Sequence, residues 1–547
     1  MLSVASGPDL TFLIWLPGPT SFWWKLALKS IECITNLGHG LDFAMLSNRL
    51  KPPRYRLRPC PKQISTRSSS TSKTRWSNMP RVKPKSPRWS ACCSQNYWDW
   101  ARPCFRSSSN KKKSLQQQGP PLNHAQQPLR YKGEVCRVYH SIFGKVTFSR
   151  PKYYSPHSGS YYGLDASLNL PRARHSYLLQ SWIARAASGQ AFEPSLGLLN
   201  EILGQDVKAM TAQRISQRYG AQVDAYYEAM PPAPVQGQIL GLSYDGKGVR
   251  ILKAEGEEAA EAAAARLMKG QKRGTKKQAT VSVSFSFDRA PRRPEELAKS
   301  LHRRWSPEER VLRKEESRLR KADRETDDCP PGKALDVHRR AFLGPQKKAI
   351  HYGAQELRRR DPQGDKPIVV LIDGHRGLIK GVAEVLEEAG LASRVEATIL
   401  DIVHVSEYLW KCGNALLGEA HPGREAWVYE RLLKILESRL DEVIDELAAQ
   451  QRPGQAIVEA VRYFSNHREM MDYRRYLAQG LPVSTGLVEG TCGHLVKDRM
   501  EGSGMRWSRS GAQHILNTRS VEKNGDWEEF SQFVKEQDQA SCYRMAA

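Results

Sequence analysis

Short apolar runs and alternating segments recur in the second half of the chain and predict an α/β fold. Residues 368–372, with the sequence IVVLI, are uninterruptedly apolar and lead directly into Asp373. A short run of this kind is typical of a strand that is buried on both faces. Because α/β sheets place their ligand sites at the carboxyl ends of such strands, Asp373 is the first candidate functional residue.

Two further strands are predicted upstream of this run, and another downstream. Residues 239–252 (ILGLSYDGKGVRIL) alternate and carry Asp245, while residues 279–288 (ATVSVSFSFD) alternate apolar residues with serine and predict a half-exposed strand. Residues 397–417 begin as a strand and continue as a helix, with Asp401 in between. The charged span 294–360 predicts mostly solvated helices, and residues 425–480 predict a long helical insert.

The preceding part of the chain predicts a small β hairpin and then a helical region. Residues 134–154 alternate around Gly144, which predicts the turn of the hairpin. Residues 176–228 have helical apolar spacing with glycine-containing breaks, which is compatible with a helix-turn-helix and equally with a packing role. Its second helix carries the candidate DNA-reading side chains, which are Gln213, Arg214, Gln217 and Arg218.

The charge of the chain is concentrated in one segment. The 547 residues exceed the size of a single core and carry a net charge of +26, which favours nucleic acid over membrane as partner. Residues 51–150 hold 22 lysines and arginines against two acids. Residues 1–130 therefore predict either a disordered basic arm that grips DNA or the translation of a wrong upstream frame.

Neither a disulfide framework nor a membrane anchor is predicted. None of the ten cysteines forms a C-x-x-C motif, which is typical of reduced thiols. The apolar stretch near the start is broken by Pro17, Gly18 and Pro19 and is too short to span a bilayer. We expect a cytoplasmic protein without a membrane partner.

A third carboxylate, Glu489, is predicted on the last helix of the core. On a helix that starts near Val488, small and apolar residues share the face of Glu489, and an unpaired carboxylate buried there needs a cation. Carboxylates without a cysteine or histidine metal motif suit Mg²⁺ or Mn²⁺. Spacing alone leaves this site open, since acids at strand ends are common.

Three segments resemble a known family. Residues 486–520 (GLVEGTCGHLVKDRMEGSGMRWSRSGAQHILNTRS) are similar to the signature of bacterial insertion-sequence transposases of the DDE class, Kra-type family, to which Mutator-like transposases are more distantly similar. Residues 400–410 (LDIVHVSEYLW) resemble the Asp-x-x-His-Val segment of that family, and residues 243–249 (SYDGKGV) its first catalytic strand. The resemblance runs from about residue 134 to the end.

The resemblance implies an RNase H-like mixed sheet with a helical insertion before the final helix. It assigns Asp245, Asp373 and Glu489 as a catalytic triad that binds two Mg²⁺ or Mn²⁺ ions. Asp401 is the alternative to Asp373. Since the second acid follows the fourth strand in RNase H-like order, we assign Asp373 to the triad and Asp401 with His404 to a position beside it.

Basic residues just beyond Glu489 are candidates for gripping a DNA end. Basic side chains with one aromatic among them suit contacts to the phosphate backbone and to bases. The alternative is a solvated helix end with the tryptophan as a core anchor. These residues are Lys497, Arg499, Arg506, Trp507 and Arg509.

The predicted organisation has six segments: an arm at 1–130, a β-rich segment at 131–175, a helical DNA-binding region at 176–230, the first part of the core at 238–412, the insertion at 413–482 and the final helix with its tail at 483–547. The expected function is metal-dependent cleavage at terminal inverted repeats of double-stranded DNA and strand transfer into target DNA. A homodimer or higher assembly near the bacterial nucleoid is expected.

Two alternatives remain at this point: an RNase H-like nuclease without strand transfer, and an inactive DNA-binding remnant. Residues 150–165 lack the C-x-x-C zinc knuckle that relatives often carry after the hairpin. That departure and the unmatched arm are both compatible with an inactive copy.

Overall fold

The computed structural model describes residues 129–156, 159–231, 235–252, 276–302, 332–502 and 504–543, with the single positions 308, 311, 312 and 315. The predicted arm at 1–130 lies outside these ranges apart from its last two residues. Within the described ranges, the helices are all too short or too polar to cross a membrane.

The described chain begins with the predicted hairpin. Strands β1 (Arg130–Ser141) and β2 (Gly144–Ser155) pair antiparallel, with Ser141 opposite Gly144, so the turn lies where the sequence predicted it. Strand β3 (Gly159–Tyr161) adds to β2, and helix α1 (Gly163–Ser167) follows. The carboxylate of Asp165 in α1 accepts ion pairs from both Arg137 and Arg150, which tie this helix to the hairpin.

Four helices follow, and the far end of the chain completes their core. They are α2 (Tyr177–Gly189), α3 (Phe192–Leu203), α4 (Ala209–Gly220) and α5 (Val223–Ala229). The segment expected to be a tail is instead helix α16 (Trp527–Tyr543). The Trp527 ring stacks on Tyr219 with centroids 6.2 Å apart, and Phe530 packs edge-on against Tyr226. The core of the helical region therefore includes side chains from the far end of the described chain.

A five-stranded mixed sheet forms the centre of the molecule. Its strands are β4 (Ile239–Arg250), β5 (Lys276–Phe287), β6 (Leu335–Leu343), β7 (Ile368–Ile372) and β8 (Val395–Leu400). The order across the sheet is β6-β5-β4-β7-β8. Strand β5 pairs antiparallel with both β6 and β4, whereas β4, β7 and β8 run parallel to one another. This arrangement is compatible with the RNase H-like sheet that the resemblance implies.

Residues 294–360 were predicted to be mostly helical, and strand β6 is the element in this span that the prediction missed. Helices α6 (Pro294–Leu301) and α7 (Gln346–Arg360) are present, but β6 lies between them. Its sequence, LDVHRRAFL, is too polar to be recognised as a buried strand. The structure nevertheless buries Arg340 completely, because partners from distant parts of the chain surround it.

The alternation in strand β5 predicted a half-exposed strand, and this prediction is wrong. The serine face is buried as well, because helix α7 lies across it. A Cβ on Gly353 of α7 would come within 2.9 Å of the Ser282 hydroxyl and 2.4 Å of the Tyr244 hydroxyl. A helix can pack this closely on a sheet only if small residues line both the helix and the strand. Serine is small enough for this contact, although an alternating serine pattern is also typical of a solvent-exposed strand face.

The predicted helical insert is present between β8 and the last helix of the core. Helix α8 (Arg376–Glu388) connects β7 to β8, and α9 (Ile402–Leu417) follows β8. The insert comprises α10 (Arg424–Leu436), α11 (Leu440–Ala448), α12 (Gln455–His467) and α13 (Tyr473–Ala478). Its apolar residues belong to the same buried cluster as the sheet, so the insert packs onto the core.

The helix that carries Glu489 lies against the sheet. Helix α14 (Gly486–Cys492) continues through a π-helical turn (Gly493–Lys497) and a final turn (Asp498–Met500), and α15 (Arg509–Asn524) follows. Helix α7 covers the face with Tyr244, whose hydroxyl donates to the Ile350 carbonyl over 3.2 Å. On the opposite face, Cys492 of α14 contacts Asp245.

Candidate functional site

Three aspartates stand in one row at the carboxyl edge of the parallel strands. Ser243 of β4 pairs with Leu371 of β7, which in turn pairs with Ile399 of β8. Two residues further along these strands are Asp245, Asp373 and Asp401. Neighbouring strands are about 4.8 Å apart and residues two apart share a face, so the register brings the three backbone positions together.

Glu489 faces the same edge from helix α14. One turn along that helix, Cys492 is hydrogen-bonded to Asp245, and burial together with this carboxylate raises the pKa of the thiol. The Thr485 hydroxyl donates to Glu489 Oε1 over 2.7 Å. On its other side, Glu489 Oε1 lies 3.8 Å from His404 Nδ1. Glu489 thus lies between the Asp245 end and the Asp401 end of the row.

Asp401 is a buried junction between two helices. It begins α9 as its N-cap, with Oδ2 accepting from the His404 backbone N–H over 3.1 Å and from His404 Nδ1 over 2.8 Å. Its Oδ1 accepts from the Thr485 backbone N–H over 2.9 Å. Burial would raise the pKa of Asp401, but the hydrogen bonds from His404 and Thr485 hold it below its ordinary value. Asp401 therefore ties α9 to the loop that precedes Glu489.

Asp373 and Asp401, the two candidates for the second acid of the triad, differ in the exposure and the hydrogen bonds of their carboxylates. The Asp401 side chain has no exposed surface, and both oxygens accept hydrogen bonds from the protein. Asp373 is half-buried, and its Oδ1 accepts one bond of 3.0 Å from the His375 backbone N–H. In the described part of the chain no lysine or arginine pairs with Asp373. Its carboxylate is the more accessible of the two.

The backbone around Asp373 is held by Tyr463 of the insert, whose ring stacks on Tyr408 of α9. The Tyr463 hydroxyl donates to the Asp373 carbonyl over 2.9 Å, and the Tyr463 ring stacks on Tyr408 at 4.2 Å. The next residue, Gly374, has φ +87°. A Cβ there would lie 2.6 Å from the Tyr463 hydroxyl. The insert thus contributes directly to the position of Asp373.

Gly374→Ala should destabilise the chain more than Gly390→Ala. Both glycines have positive φ, which costs a non-glycine residue about 1–3 kcal/mol. Only at Gly374 would the new Cβ displace Tyr463, since nothing lies within 4 Å of a Cβ at Gly390. Chemical denaturation of the two variants isolates the contact to Tyr463. Equal losses of stability would show that this contact does not hold the turn.

His404 should be protonated at neutral pH. Its hydrogen bond with Asp401 raises the pKa of His404 from 6.5 to about 9. Nuclear magnetic resonance titration of the metal-free protein should find this value. Asp401→Asn should lower the pKa towards 6.5, because the hydrogen bond and the charge of Asp401 are lost while burial and the charges of Glu407 and Glu489 remain.

The same shift gives a dependence of stability on pH. A raised folded-state pKa stabilises the fold fully below pH 6.5, and this contribution is lost as pH rises through about 9. The stability difference between the natural protein and Asp401→Asn should shrink over that window. A His404 that titrates near 6.5 in the natural protein would contradict the bond to a charged Asp401.

The site suits a hard cation. Among the described residues, the ligand atoms of Asp401, His404 and Glu489 lie within 4.8 Å of one another, close enough to share an ion. His404 Nδ1 is hydrogen-bonded to Asp401, so the candidate ligand atoms that remain are carboxylate oxygens. Asp245, Asp373 and Glu489 are all partly exposed, and none of them pairs with a described lysine or arginine. Carboxylate oxygens fit Mg²⁺ or Mn²⁺. In this structure, however, the ligand atoms of Asp245, Asp373 and Glu489 do not all come within 4.8 Å of one another, as those of Asp401, His404 and Glu489 do.

The predicted DNA-binding residues divide into exposed and buried groups. Lys497, Arg506, Arg509, Gln213 and Arg214 are exposed; Gln217 and Arg218 are half-buried, with Arg218 donating to the Gln180 side chain.

Arg499 and Trp507 are buried, which corrects the expectation that they are exposed side chains at the surface. Arg499 Nε donates to the Ala187 carbonyl over 3.0 Å, and its guanidinium lies 4.7 Å from the Trp507 ring. The Trp507 indole N–H donates to the Met500 carbonyl over 3.3 Å. The alternative of Trp507 as a core anchor is confirmed. Sequence reasoning had no signal for the burial of Arg499, because the residues around it come from α2 and α3.

No protein-family model and no curated protein matches the chain. Among solved structures, the Drosophila P element transposase strand transfer complex is similar with a TM-score of 0.24 and 10% sequence identity. The alignment covers 66% of this chain and 82% of that chain. A likeness this distant leaves the function to be judged from the geometry of the site.

Proposed function

We propose that the chain is a DDE transposase of the Kra-type family with an RNase H-like core, which cleaves DNA at terminal inverted repeats and joins the ends to target DNA. The observation that supports this most directly is the row of carboxylates. Asp245, Asp373 and Asp401 follow three adjacent parallel strands at matching register, and Glu489 faces them from a helix packed on the same side.

The strand order supports the choice of Asp373 for the triad. With β6 included, β7 is the fourth strand of the sheet in chain order, and Asp373 follows it directly. In RNase H-like order the second acid has this place. Asp401 then acts as a positioning residue, since its oxygens hold His404 and the loop before Glu489.

Each side chain has a role in this proposal. Asp245, Asp373 and Glu489 would hold two divalent ions with their oxygens. When bound, such ions would supply the activation of a water or 3′-hydroxyl and the stabilisation of the leaving oxygen in a phosphoryl displacement. The protonated His404 lies 3.8 Å from Glu489 Oε1 and limits the rotation of that carboxylate before the ions bind. Tyr463 keeps the Asp373 backbone in place.

The exposed basic residues would hold the DNA. Lys497, on the helix of Glu489, and Arg506, in the loop after it, are placed to contact phosphates beside the carboxylates. The outward side of α4, with Gln213 and Arg214, would recognise the terminal repeats. Two ends must be cut for one insertion, so two copies of the chain are proposed to act together.

The test is an assay of cutting and joining with the full-length chain. The substrate is labelled DNA that carries the sequences bracketing the reading frame, incubated with Mg²⁺ or Mn²⁺ and with chelator as control. Joined products that require the metal and each of Asp245, Asp373 and Glu489 are expected. Glu388→Gln, on an exposed helix, is the matched carboxylate control and should leave joining unchanged.

The products distinguish the alternatives. Nicked DNA without joined products would show that the protein is a nuclease without strand transfer. Binding of the DNA ends without any cleavage would show that the protein is an inactive DNA-binding remnant. Joining that persists in all three triad variants would overturn the assignment of the site.

A further inference from the structure

A cleft lies between the helical region and the loop that follows the helix of Glu489. It has a volume of about 340 Å³ and lies between helix α4 and the loop that leads into α15. Gln213 and Gln217 line it from one side, and Arg506 and Trp507 from the other. The cleft thus lies between two groups of predicted DNA-binding residues.

The lining is mostly apolar, and it includes aromatic rings. Phe192, Met505, Trp507 and Ile515 contribute to its walls, with Leu252 at its edge. Leu252 is 51% exposed, although it is a large hydrophobic residue. A wall of this composition suits a flat, weakly polar ligand better than it suits a phosphate or a carbohydrate.

Two buried polar atoms in the lining have no hydrogen-bond partner among the described residues, although the Arg499 guanidinium lies over the rings of Phe192 and Trp507. They are Nη2 of Arg499 and the hydroxyl oxygen of Ser216, and both side chains are 1% exposed. A buried polar group without a hydrogen bond costs about 1–3 kcal/mol, so both atoms favour a ligand that pairs with them. No described carboxylate neutralises Arg499, and burial lowers the pKa of its guanidinium to about 10.

The cleft is also within reach of DNA at the carboxylates. Arg499 follows Glu489 by ten residues on the same helical segment, a separation of about 15 Å along the axis. Stacked nucleotides advance about 3.4 Å each along a strand, so roughly four nucleotides cover that distance. The π-helical turn Gly493–Lys497 lies between the two residues, and such turns are frequent at functional sites.

We propose that this cleft receives a single unstacked base of a DNA strand whose reacting phosphate lies at the carboxylates, an inference that rests on the proposed function. The base would contact the aromatic wall, and its ring or carbonyl acceptors would pair with Arg499 Nη2 and the Ser216 hydroxyl. The amides of Gln213 and Gln217 are placed to contact its edge, and Arg506 the adjoining phosphate.

The test compares two probes that differ only in their bases. Fluorescence anisotropy would measure the binding of single-stranded oligothymidine and of an abasic oligomer of the same length at the same salt concentration. Stacking of one base on an aromatic wall is worth roughly tenfold in affinity, so oligothymidine should bind about tenfold more tightly. The difference should fall to about twofold or less in Ser216→Ala and Arg499→Met, which remove the two unpaired atoms.

A matched variant separates the cleft from general effects of removing a serine. Ser284 in β5 also has a buried hydroxyl without a partner among the described residues, but it lies in the sheet. Ser284→Ala should keep the full preference for oligothymidine. Neither serine variant should lower the unfolding temperature, since each removes an unsatisfied buried group.

The outcomes separate failure of the cleft from failure of the proposed function. Equal binding of both probes by the natural protein, together with normal metal-dependent joining, would overturn the cleft proposal alone. A loss of affinity for the abasic oligomer in Arg499→Met would show that the cleft takes a phosphate, which also overturns it. A chain that neither binds DNA nor joins it would overturn both.

Discussion

Replacing Asp373 with asparagine should reduce metal-dependent DNA joining by on the order of a thousandfold without destabilising the fold. A bound metal ion contributes several kcal/mol to the stabilisation of transition-state charge, and each 1.36 kcal/mol corresponds to about tenfold in rate. The Asp373 side chain accepts one backbone hydrogen bond, which the asparagine oxygen can also accept. The unfolding temperature should stay the same or rise slightly, because repulsion among the carboxylates decreases.

Asp401→Asn is the paired variant that makes this result informative. Both oxygens of Asp401 accept hydrogen bonds within the fold, and an amide nitrogen cannot accept. We expect a loss of stability of about 1–2 kcal/mol from the weakened helix cap, with a smaller loss of joining than in Asp373→Asn. Stability and joining rates would be measured on the same preparations. The reverse pattern would make Asp401 the second acid of the triad.

Asp224→Ala should be among the most destabilising substitutions of an exposed residue in this chain. Asp224 Oδ1 lies 2.5 Å from Nη2 of Arg340, a guanidinium with no exposed surface. Breaking a buried ion pair from one side costs about 3–5 kcal/mol. Because the Asp224 side chain is itself half-exposed, we expect about 3 kcal/mol, measured by chemical denaturation.

The double variant Asp224→Ala with Arg340→Met provides the control. Arg340 lies among the rings of Tyr227, Phe342 and Tyr352, and its Nε and Nη1 have no hydrogen-bond partner among the described residues. A methionine can fill that space without a charge to compensate, so the double variant should regain most of the lost stability. A double variant less stable than Asp224→Ala alone would show that ring contacts of the guanidinium outweigh its charge.

Much of the core was predictable from local pattern. The apolar run of β7 and the alternation of β4 can be recognised without knowledge of the segments that pack against them. A strand buried on both faces has an uninterrupted apolar run, and a strand buried on one face alternates apolar and polar residues. The hairpin around Gly144 and the helical insert were predictable for the same reason. Strand β6 was not, because its polar residues are buried by partners that lie far away in the chain, such as Asp224 and Asn517.

The site divides in the same way. The sequence by itself determined which carboxylates follow strands and which one opens the last helix of the core, because strand and helix ends are marked locally. Local pattern alone did not separate Asp373 from Asp401, so that Asp373 was chosen from the strand order that the resemblance implies, and Arg499 was placed with the exposed cations. Tertiary structure decided what surrounds each of these side chains. The loop before Glu489 occupies both oxygens of Asp401 together with His404, and helices α2 and α3 enclose Arg499.

The physical reason is the range over which each property is set. The periodicity of apolar residues reflects the local geometry of a strand or helix. The hydrogen bonds, burial and charge of a side chain depend on which distant segments the fold brings against it. At the edge of this sheet, β4, β7, β8 and α14 meet from positions almost 250 residues apart, between Asp245 and Glu489. Only the folded chain shows that Asp373 keeps an accessible carboxylate there, whereas Asp401 is committed to holding the structure together.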